Sequence, residues 1–305
     1  MLVTAKRLLD TRDVEATMGS LRRASQILGE REAVPLLSAR YLAPSTRARI
    51  AEAGGAYVDA TGNLSLKLDR PALFLRDAGA QHDPWRRPGR PRAGLQGAPA
   101  ARVTRALIDF AAPYTVPQLA AQSGASVAAA YRVTEFAARE GLLTRERENR
   151  GAIVDVAWRR LLERWSQDYS FDTSNSVAAF LEPRGPGALL ERLRQSQELV
   201  YAMTGSLAAH QLAPYAPARV AALYVKDIAT AADRLELRRV DRGANVFLAA
   251  GKHDVVFDRA FDAAGVRYAA PSQIAVDLMS GSGRNPDEAA TLLDWMERHE
   301  AEWRH

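Results

Sequence analysis

The chain has 305 residues, enough for about two or three domains, and its 47% hydrophobic and 25% charged residues exclude a disordered or collagen-like chain. It has no cysteine, which excludes disulfide scaffolds, iron–sulfur proteins, thiol nucleophiles and Cys-ligated zinc. The net charge of +5 is uneven, because residues 233–305 hold 10 Lys and Arg against 13 Asp and Glu. The cationic excess therefore lies in residues 1–232, and such a balance is compatible with a nucleic-acid partner.

The sequence also indicates where the protein is found. Charged residues at positions 6, 7, 10, 12 and 13 interrupt any apolar signal-peptide core, and no uncharged apolar stretch approaches the length of a membrane span. We expect a cytoplasmic protein without membrane contact, associated with the nucleoid if it binds DNA.

The chain begins with two segments that we expect to be helical, residues 2–10 and 14–29. The apolar face expected on the second helix consists of Leu21, Ala24, Ile27 and Leu28.

Residues 33–68 then predict a strand, a helix and two further strands. An apolar run between Pro35 and Pro44 is typical of a buried strand, and Ser45 is expected to cap the helix that follows it. A turn at residues 61–63 separates two strands, the second with apolar residues at every other position. Strand, helix and strand in this order predict an α/β unit over residues 1–82.

The order of these elements resembles the distal half of the restriction-endonuclease-like fold. Active members hold a divalent metal with an acidic residue and a Glu-x-Lys on the central strand. The matching strand here, residues 37–40, reads Leu-Ser-Ala-Arg and has neither. Asp59 is the acid that remains, and with Asn63 it is expected to cap the turn that contains both. The resemblance therefore implies a structural or DNA-docking domain that is catalytically silent and binds no metal.

Residues 83–99 form an Arg- and Pro-rich linker. Four prolines and three glycines within residues 84–99 exclude a continuous helix or a central strand. Residues 84–108 contain six arginines and no acid. The linker is expected either to stay solvated or to neutralise DNA phosphates and release counterions. The arginines assigned here to phosphate contact are Arg86, Arg87, Arg90, Arg92 and Arg102.

Residues 100–168 contain three helices with a sharp turn between the second and the third. Apolar residues at 103, 106, 107 and 110 predict the first, amphipathic helix. Thr115 is expected to cap a short second helix that Gly124 ends, and Ser126 to cap a third helix that Gly141 ends.

A short strand, a charged turn at residues 149–151 and an apolar strand at 153–156 follow the third helix. Two helices around a sharp turn, preceded by a helix and followed by a hairpin, are the layout of a winged helix-turn-helix domain.

This pattern resembles bacterial winged-helix regulators, whose third helix enters the major groove of DNA by its N-terminal half. On this sequence the resemblance directs Val127, Ala130, Val133 and Phe136 toward the core. Arg132 is the candidate for a bidentate contact to guanine, and the arginines of the wing suit contacts to the DNA backbone. The helix and wing residues predicted to contact DNA are Thr115, Gln118, Ser126, Ala128, Ala129, Tyr131, Arg132, Thr134, Arg145, Arg147 and Arg150.

Residues 169–305 predict an α+β domain in which strands alternate with helices. Residues 170–187 are expected to form a loop-rich joint, and residues 201–215 a helix that contains Gly205 and Ser206. A strand at 218–227 follows, and residues 285–303 are expected to form a final amphipathic helix.

Gly-Ser on a helix followed by a strand resembles nucleotidyltransferases, in which Gly-Ser binds nucleotide phosphates and an Asp-x-Asp on the next strand binds two metal ions. Here residues 224–227 read Tyr-Val-Lys-Asp, so a single acid remains. The resemblance implies a catalytically silent domain without metal or cofactor, in which Gly205 and Ser206 serve tight helix packing.

Taken together, residues 33–298 are similar to AbiEi-like proteins, transcriptional regulators grouped with the antitoxins of type IV toxin–antitoxin pairs. The most distinctive stretch of the resemblance is carried by Asp277, Leu278, Gly283, Arg284, Glu288, Ala289 and Ala290. Well-described antitoxins of this type have the winged helix at the N-terminus, whereas here it is central.

These observations predict an α/β (α+β) multidomain protein with segments at residues 1–82, 83–99, 100–168 and 169–305. We interpret it as a non-catalytic, homodimeric, sequence-specific regulator of transcription whose partner is double-stranded DNA. Two alternatives stay open. One is an autorepressing antitoxin with a toxin partner, and the other is a metal-dependent nuclease or nucleotidyltransferase.

Overall fold

The structure, a computed structural model, describes residues 1–6, 9–29, 33–85, 94–146, 151–196, 198–251 and 253–305. It is a mixed α/β protein with several sheets, as the sequence predicts. The contacts between residues divide the chain into two units, Met1–Ala93 with Glu135–Leu142 and Gly94–Thr134 with Leu143–His305. The segment boundary expected at residue 168 thus lies inside the second unit.

The first unit is built on a five-stranded sheet. Its elements are β1 (Leu2–Lys6), α1 (Val14–Ile27), β2 (Pro35–Ala39), α2 (Pro44–Glu52), β3 (Ala56–Asp59), β4 (Leu64–Leu68) and β5 (Leu73–Asp77). The strands lie in the order β1-β2-β3-β4-β5, the first three parallel and the last three antiparallel. Parallel neighbours need a crossover connection, which α1 and α2 provide. The buried core includes Met18, Leu37, Leu42 and Ile50.

Two predictions for the start of the chain were wrong. The helix expected over residues 2–10 is instead strand β1, which pairs with β2 along its whole length because tertiary pairing overrides a weak local helix signal. On α1, Ile27 is 85% exposed and Leu28 64% exposed, whereas Val14, Met18 and Leu21 are buried. The helix ends at Ile27, so its last apolar residues have no core to cover.

The strand–helix–strand region follows the prediction except at one cap. β2, α2 and the β3–β4 hairpin lie where the sequence places them. Ser45 does not cap α2. The N-cap is Ala43, with Pro44 in the first turn, and the Ser45 hydroxyl donates to the Glu140 carboxylate instead. Proline is pre-organised for the first helical position, so the helix begins one residue before the expected cap.

The second unit opens with the predicted helices and hairpin. Its first elements are α3 (Ala98–Asp109), α4 (Val116–Ser123), α5 (Val127–Arg139), β6 (Leu143–Arg145), β7 (Ile153–Val156) and α6 (Trp158–Ser166). β6 and β7 pair antiparallel, and the predicted bounds of β7 are confirmed. The last residues of α5, from Glu135 onward, belong to the first unit.

The remaining elements of the second unit form a seven-stranded mixed sheet with helices. They are α7 (Phe171–Ser174), β8 (Asn175–Leu181), α8 (Pro186–Gln195), β9 (Tyr201–Thr204), α9 (Gly205–Leu212), β10 (Ala221–Val225), α10 (Ile228–Arg234), β11 (Arg238–Arg239), β12 (Val246–Gly251), β13 (Phe261–Ala263), β14 (Val266–Tyr268), α11 (Pro271–Met279), α12 (Asn285–Arg298) and α13 (Glu300–Trp303). The strand order is β11-β8-β12-β10-β9-β14-β13, with β10 parallel to β12 and β14 parallel to β9.

Two segments of this sheet differ from the prediction. The stretch expected to be a loop-rich joint contains β8, which pairs antiparallel with β12 from Asn175 to Phe180. The helix expected from residue 201 begins only at Gly205, because residues 201–204 form β9 beside β10. Alanine-rich segments such as Ala178–Ala179 carry little strand propensity of their own, so their conformation depends on the neighbouring strands.

Helix α11 lies at the centre of the second unit. Every residue from Pro271 to Leu278 is buried. The helix contacts α3, α6, α9 and α12, and so it lies between the first helices of this unit and the sheet's own helices. Among the described residues, no helix has both the length and the apolar composition of a membrane span.

Candidate nucleic-acid interface

Local side chains hold the turn between α4 and α5. Thr115 Oγ1 accepts a hydrogen bond from the Gln118 backbone N–H at 3.4 Å, and Gln118 Oε1 accepts one from the Thr115 N–H at 2.8 Å, so the two residues form a capping box. α4 ends at Gly124, where a φ of 61° suits glycine because it has no Cβ. Ser126 Oγ then accepts from the Ala129 N–H at 3.2 Å at the start of α5. The caps predicted at Thr115 and Ser126 are confirmed.

The first two turns of α5 present an exposed face. Ser126, Ala128 and Arg132 are exposed, and Tyr131 keeps 50% of its surface accessible. None of the described residues forms a hydrogen bond or an ion pair with the Tyr131 hydroxyl or the Arg132 guanidinium. A guanidinium and a phenol beside two small side chains therefore remain available for an external partner.

Three positions on α5 differ from the prediction. Ala129 is 2% exposed and the side chain of Thr134 is fully buried, so neither can contact DNA. The Thr134 hydroxyl donates to the Ala130 carbonyl at 2.8 Å. Val127 was expected to face the core but is 47% exposed. The buried stripe is Ala129, Ala130, Val133, Thr134 and Ala137, which is rotated about the helix axis relative to the expected one.

Two predicted phosphate contacts already have partners within the protein. Arg145 on β6 is half-buried, and its Nη2 donates to Thr134 Oγ1 at 2.6 Å. Arg102 on α3 donates from Nη1 to the Gly124 carbonyl at 3.2 Å, which supports the turn that ends α4. Both side chains therefore also stabilise the segment that presents α5. The predicted residues that lie outside the described ones are Arg86, Arg87, Arg90, Arg92, Arg147 and Arg150.

Helix α3 is joined to the rest of the second unit by the buried side chain of Arg105. Its Nε donates to Asp109 at 3.1 Å, and its Nη1 donates to Gln273 Oε1 at 2.9 Å. Nη2 donates to the Asp258 carbonyl at 2.8 Å. Arg105 was counted among the six arginines of the basic stretch, but its side chain has no exposed surface and cannot reach DNA.

The turn at the end of β3 supplies most of the hydrogen bonds that the Asp59 carboxylate accepts. It accepts hydrogen bonds from the Leu42 N–H, from the N–H and hydroxyl of Thr61, and from the N–H and side chain of Asn63, all between 2.6 and 3.1 Å. Burial by itself raises the pKa of Asp59, but these hydrogen bonds outweigh it and hold the pKa below its ordinary value. The predicted turn cap is confirmed.

The Gly-Ser motif and the acid that follows it also have local roles. Gly205 begins α9 with a φ of 67°, a backbone conformation that favours glycine. Asp227 accepts from the Thr230 N–H at 2.7 Å and caps α10, and that hydrogen bond lowers its pKa. Lys226 pairs with Asp254 at 2.5 Å.

A buried polar cluster on α11 was not predicted. Asp277 accepts hydrogen bonds from Thr204 Oγ1 at 2.6 Å, the Tyr224 hydroxyl at 2.8 Å and Gln273 Nε2 at 2.9 Å. Burial raises the pKa of Asp277 to about 6, although these hydrogen bonds act in the opposite direction. Gln273 and Asp277, two polar residues four positions apart in a helix whose only other polar residue is Ser272, were the available sequence signal.

Comparison of the chain with family models, with curated proteins and with solved structures finds no match.

Proposed function

We propose that the protein is a regulator of transcription that binds double-stranded DNA through the N-terminal half of α5. The observation that carries the proposal is that Tyr131 and Arg132 are exposed and that their polar groups have no partner among the described residues. Both residues follow directly after the capped, sharp turn between α4 and α5. A helix of this kind fits the major groove of B-DNA in winged helix-turn-helix proteins.

The side chains on this face suit different parts of the groove. Ser126 and Ala128 are small and allow the backbone of α5 to approach the bases closely. The Arg132 guanidinium has the geometry for a bidentate contact to guanine O6 and N7, which contributes about 1–3 kcal/mol of discrimination. Tyr131 is within the same two turns and can contact a phosphate or a thymine methyl.

Affinity without sequence preference would come from phosphate contacts. The exposed Gln118 at the start of α4, together with the arginines of the wing and the linker, supplies donors for the DNA backbone. Each neutralised phosphate releases counterions, so binding through these residues weakens as salt rises.

Under the same proposal, residues 1–82 form a nuclease-like domain and residues 169–305 a nucleotidyltransferase-like domain, both without a catalytic role. Asp59 supports this because its oxygens are occupied by the turn that it caps, and Asp227 supports it because it caps α10. The protein would act at the nucleoid in the cytoplasm. A homodimer would let two copies of α5 read half-sites one helical turn apart.

The test is selection of bound sites from a random duplex pool with the full-length protein, followed by titration of the selected site and a scrambled duplex. Arg132→Ala is expected to lower the ratio of the two affinities by about 5- to 150-fold, the range that corresponds to one bidentate base contact. The matched control is Arg139→Ala, an exposed arginine at the far end of the same helix, which should leave that ratio within about twofold.

A second arm separates phosphate contact from base readout. Replacing Arg86, Arg87, Arg90 and Arg92 with alanine should weaken both duplexes alike and reduce the steepness of affinity against salt concentration. The proposal is wrong if the wild-type protein selects no common sequence, or if Arg132→Ala and Arg139→Ala have the same effect.

A further inference from the structure

A cavity of about 350 Å³ lies in the second unit between the start of α3, the end of α6 and the 3₁₀-helical turn Asp254–Phe257. All of its lining residues belong to this unit, and the volume is within the range of sites for small organic molecules. The lining residues that matter here are Ala101, Asp168, Tyr169, Asn175, Val255 and Val256.

The cavity lies at the opposite end of the sheet from the Gly-Ser motif. Thr204, the last residue of β9, pairs with Ala222 near the start of β10. Gly251, the last residue of β12, pairs with Asn175 of the cavity lining, and β12 runs parallel to β10. Crevices outside the carboxyl ends of strands are the usual ligand sites of open α/β sheets. The cavity is therefore separate from the phosphate subsite that the nucleotidyltransferase resemblance implies.

Asp168 presents one carboxylate oxygen without a donor to this cavity. Its Oδ2 accepts from the Leu95 N–H at 2.8 Å and from Arg164 Nη1 at 3.0 Å. Its Oδ1 accepts no hydrogen bond from the described residues, and 16% of the side chain is exposed. A carboxylate oxygen of this kind favours a ligand group that donates a hydrogen bond, above all a charged one.

Asn175 adds a second acceptor to the lining. Its Nδ2 donates to the Phe171 carbonyl at 2.8 Å and to the Tyr169 hydroxyl at 3.2 Å. The Phe171 carbonyl can only accept, so the amide orientation is fixed and the donors are used within the protein. Oδ1 accepts no hydrogen bond from the described residues, and the residue is half-buried. Both oxygens thus require an N–H or O–H group of the ligand.

The apolar part of the lining suits a ring. Ala101 and Tyr169 are half-buried and so offer surface to a ligand, and Val255 and Val256 lie beside them. The Tyr169 ring packs on Trp165 with centroids 5.2 Å apart, which holds it in place. Aromatic rings pair favourably with a fixed ring of this kind.

We propose that this cavity binds a small aromatic amine. The ammonium group donates to Asp168 Oδ1 and Asn175 Oδ1, and the ring lies against Tyr169 and Ala101. Aromatic monoamines and free aromatic amino acids share this chemistry, and the experiment below distinguishes them.

Asp168 also joins the cavity to the segment before α3. Leu95, whose N–H the carboxylate accepts, lies in the predicted Arg-rich linker three residues after Arg92. Ala101 is on α3 itself, the first helix of the proposed DNA-binding segment. A ligand in this cavity therefore contacts residues that hold the linker and α3. An effect of the ligand on DNA affinity follows from these contacts and rests on the proposed function.

The binding test uses the full-length protein without DNA. Thermal shift and calorimetric titration are run at millimolar concentration with 2-phenylethylamine, tyramine and tryptamine, and with phenylalanine, tyrosine and tryptophan. Each amine is compared with the alcohol in which a hydroxyl replaces the ammonium group. At least one of the six amino compounds is expected to bind, and the class that binds more tightly identifies the source of the ligand. The alcohol should bind at least about tenfold more weakly than its amine, because a charge-assisted hydrogen bond is lost.

Two variants and a control locate the site. Asp168→Asn should weaken the best amino compound by about tenfold or more and change the binding of the alcohol little. Ala101→Leu leaves both acceptors in place and should weaken amine and alcohol alike, because the larger side chain fills part of the cavity. Asp172→Asn removes a charge from an exposed position outside the lining of this cavity and should leave binding unchanged.

Three results would overturn the proposal. They are that none of the six amino compounds binds, that the alcohols bind as tightly as the amines, or that Asp168→Asn and Ala101→Leu, shown to be folded by circular dichroism, bind like the wild type.

The DNA arm is read separately. The bound ligand is expected to change the affinity for the selected duplex in the wild type and to have no such effect in Ala101→Leu. If the ligand binds and DNA affinity does not change, the site stands and the effector role is wrong. If no DNA sequence is selected at all, the proposed function fails while the calorimetric result still decides the cavity proposal.

Discussion

Each unit contains a buried aspartate, and the pKa values of these two aspartates are shifted in opposite directions. In the first unit Asp59 accepts five hydrogen bonds, and its pKa is held below the ordinary value. In the second unit Asp277 accepts three from side chains, and burial raises its pKa to about 6. In the same unit, the buried Oε2 atom of Glu288 accepts no hydrogen bond from the described residues.

The difference shows how fully each unit supplies hydrogen-bond donors to a carboxylate that it buries. Every donor to Asp59 belongs to the turn that contains it or to Leu42 of the same unit, so its charge is fully used by the fold. Asp277 and Glu288 line one cavity, and each of these carboxylates receives fewer hydrogen bonds than its two oxygens can accept. Substitutions of Asp59, Asp277 and Glu288 test this difference. The expected change in the free energy of unfolding decreases in that order.

Asp59→Ala is expected to lower the free energy of unfolding by about 3 kcal/mol or more, because it leaves several buried donors without an acceptor. Urea unfolding followed by far-ultraviolet circular dichroism measures the change. Asp69→Ala, an exposed acid in the same unit, is the control and should change stability by less than about 0.5 kcal/mol. Equal effects of the two substitutions would contradict the structural role of Asp59.

The stability that Asp59 contributes changes with pH in a predictable direction. The pKa of Asp59 is lower in the folded protein than its ordinary value of 3.8, so its contribution is present above that value and is lost as pH falls through the folded pKa. Acidification therefore weakens the first unit at this turn.

Asp277 contributes to the pH dependence of stability in the direction opposite to Asp59, and Asp277→Asn removes that contribution. The folded pKa of about 6 exceeds the ordinary 3.8, so this group stabilises the fold at low pH, and that contribution is lost as pH rises through about 6. Between about pH 5 and pH 8 the stability of the variant relative to wild type should rise by about 1–2 kcal/mol.

The neighbours of Asp277 do not obscure this measurement. Burial raises the pKa values of Tyr169 and Tyr224 far above this range, so both phenols stay neutral. Parallel urea titrations of wild type and variant at the two pH values give the result. A difference that is the same at both pH values would show that Asp277 does not titrate in this range.

Glu288→Gln should have the smallest effect and leave the free energy of unfolding within about 1 kcal/mol of wild type or slightly higher. The substitution removes a buried charge whose Oε2 accepts no hydrogen bond from the described residues. Asp59→Asn is the matched comparison, because it removes the same charge from a carboxylate with five donors and should be clearly destabilising. A large loss of stability in Glu288→Gln would identify Glu288 as a structural residue.

The sequence predicted the turn between α4 and α5 well because its determinants are local. Thr115, Gly124 and Ser126 each act on a backbone group within a few positions, so the residue types alone indicate where the helices begin and end. The phase of α5 was less predictable. Its stripe of alanines offers no strong apolar pattern, and Ala129 and Thr134 were placed on the wrong face.

Strands in weakly apolar segments were the other failure. β1 and β8 were predicted as a helix and a loop, and each exists because it pairs with a strand distant in the chain. The donors to the Asp277 carboxylate include Thr204, which is 73 positions away, and the link from Gln273 to Arg105 spans 168 positions. No window of local sequence contains such partners.

The sequence alone therefore determined the mixed α/β class, the helix caps at Thr115 and Ser126, the sharp turn before α5 and the role of Asp59. Hydrogen bonds between near neighbours decide the caps, the turn and the role of Asp59. The tertiary structure decided which face of α5 is exposed, which segments become strands, and how Asp277 and Glu288 come to line one cavity. Those features depend on burial and on partners far apart in the chain, and burial is settled only when the whole unit packs.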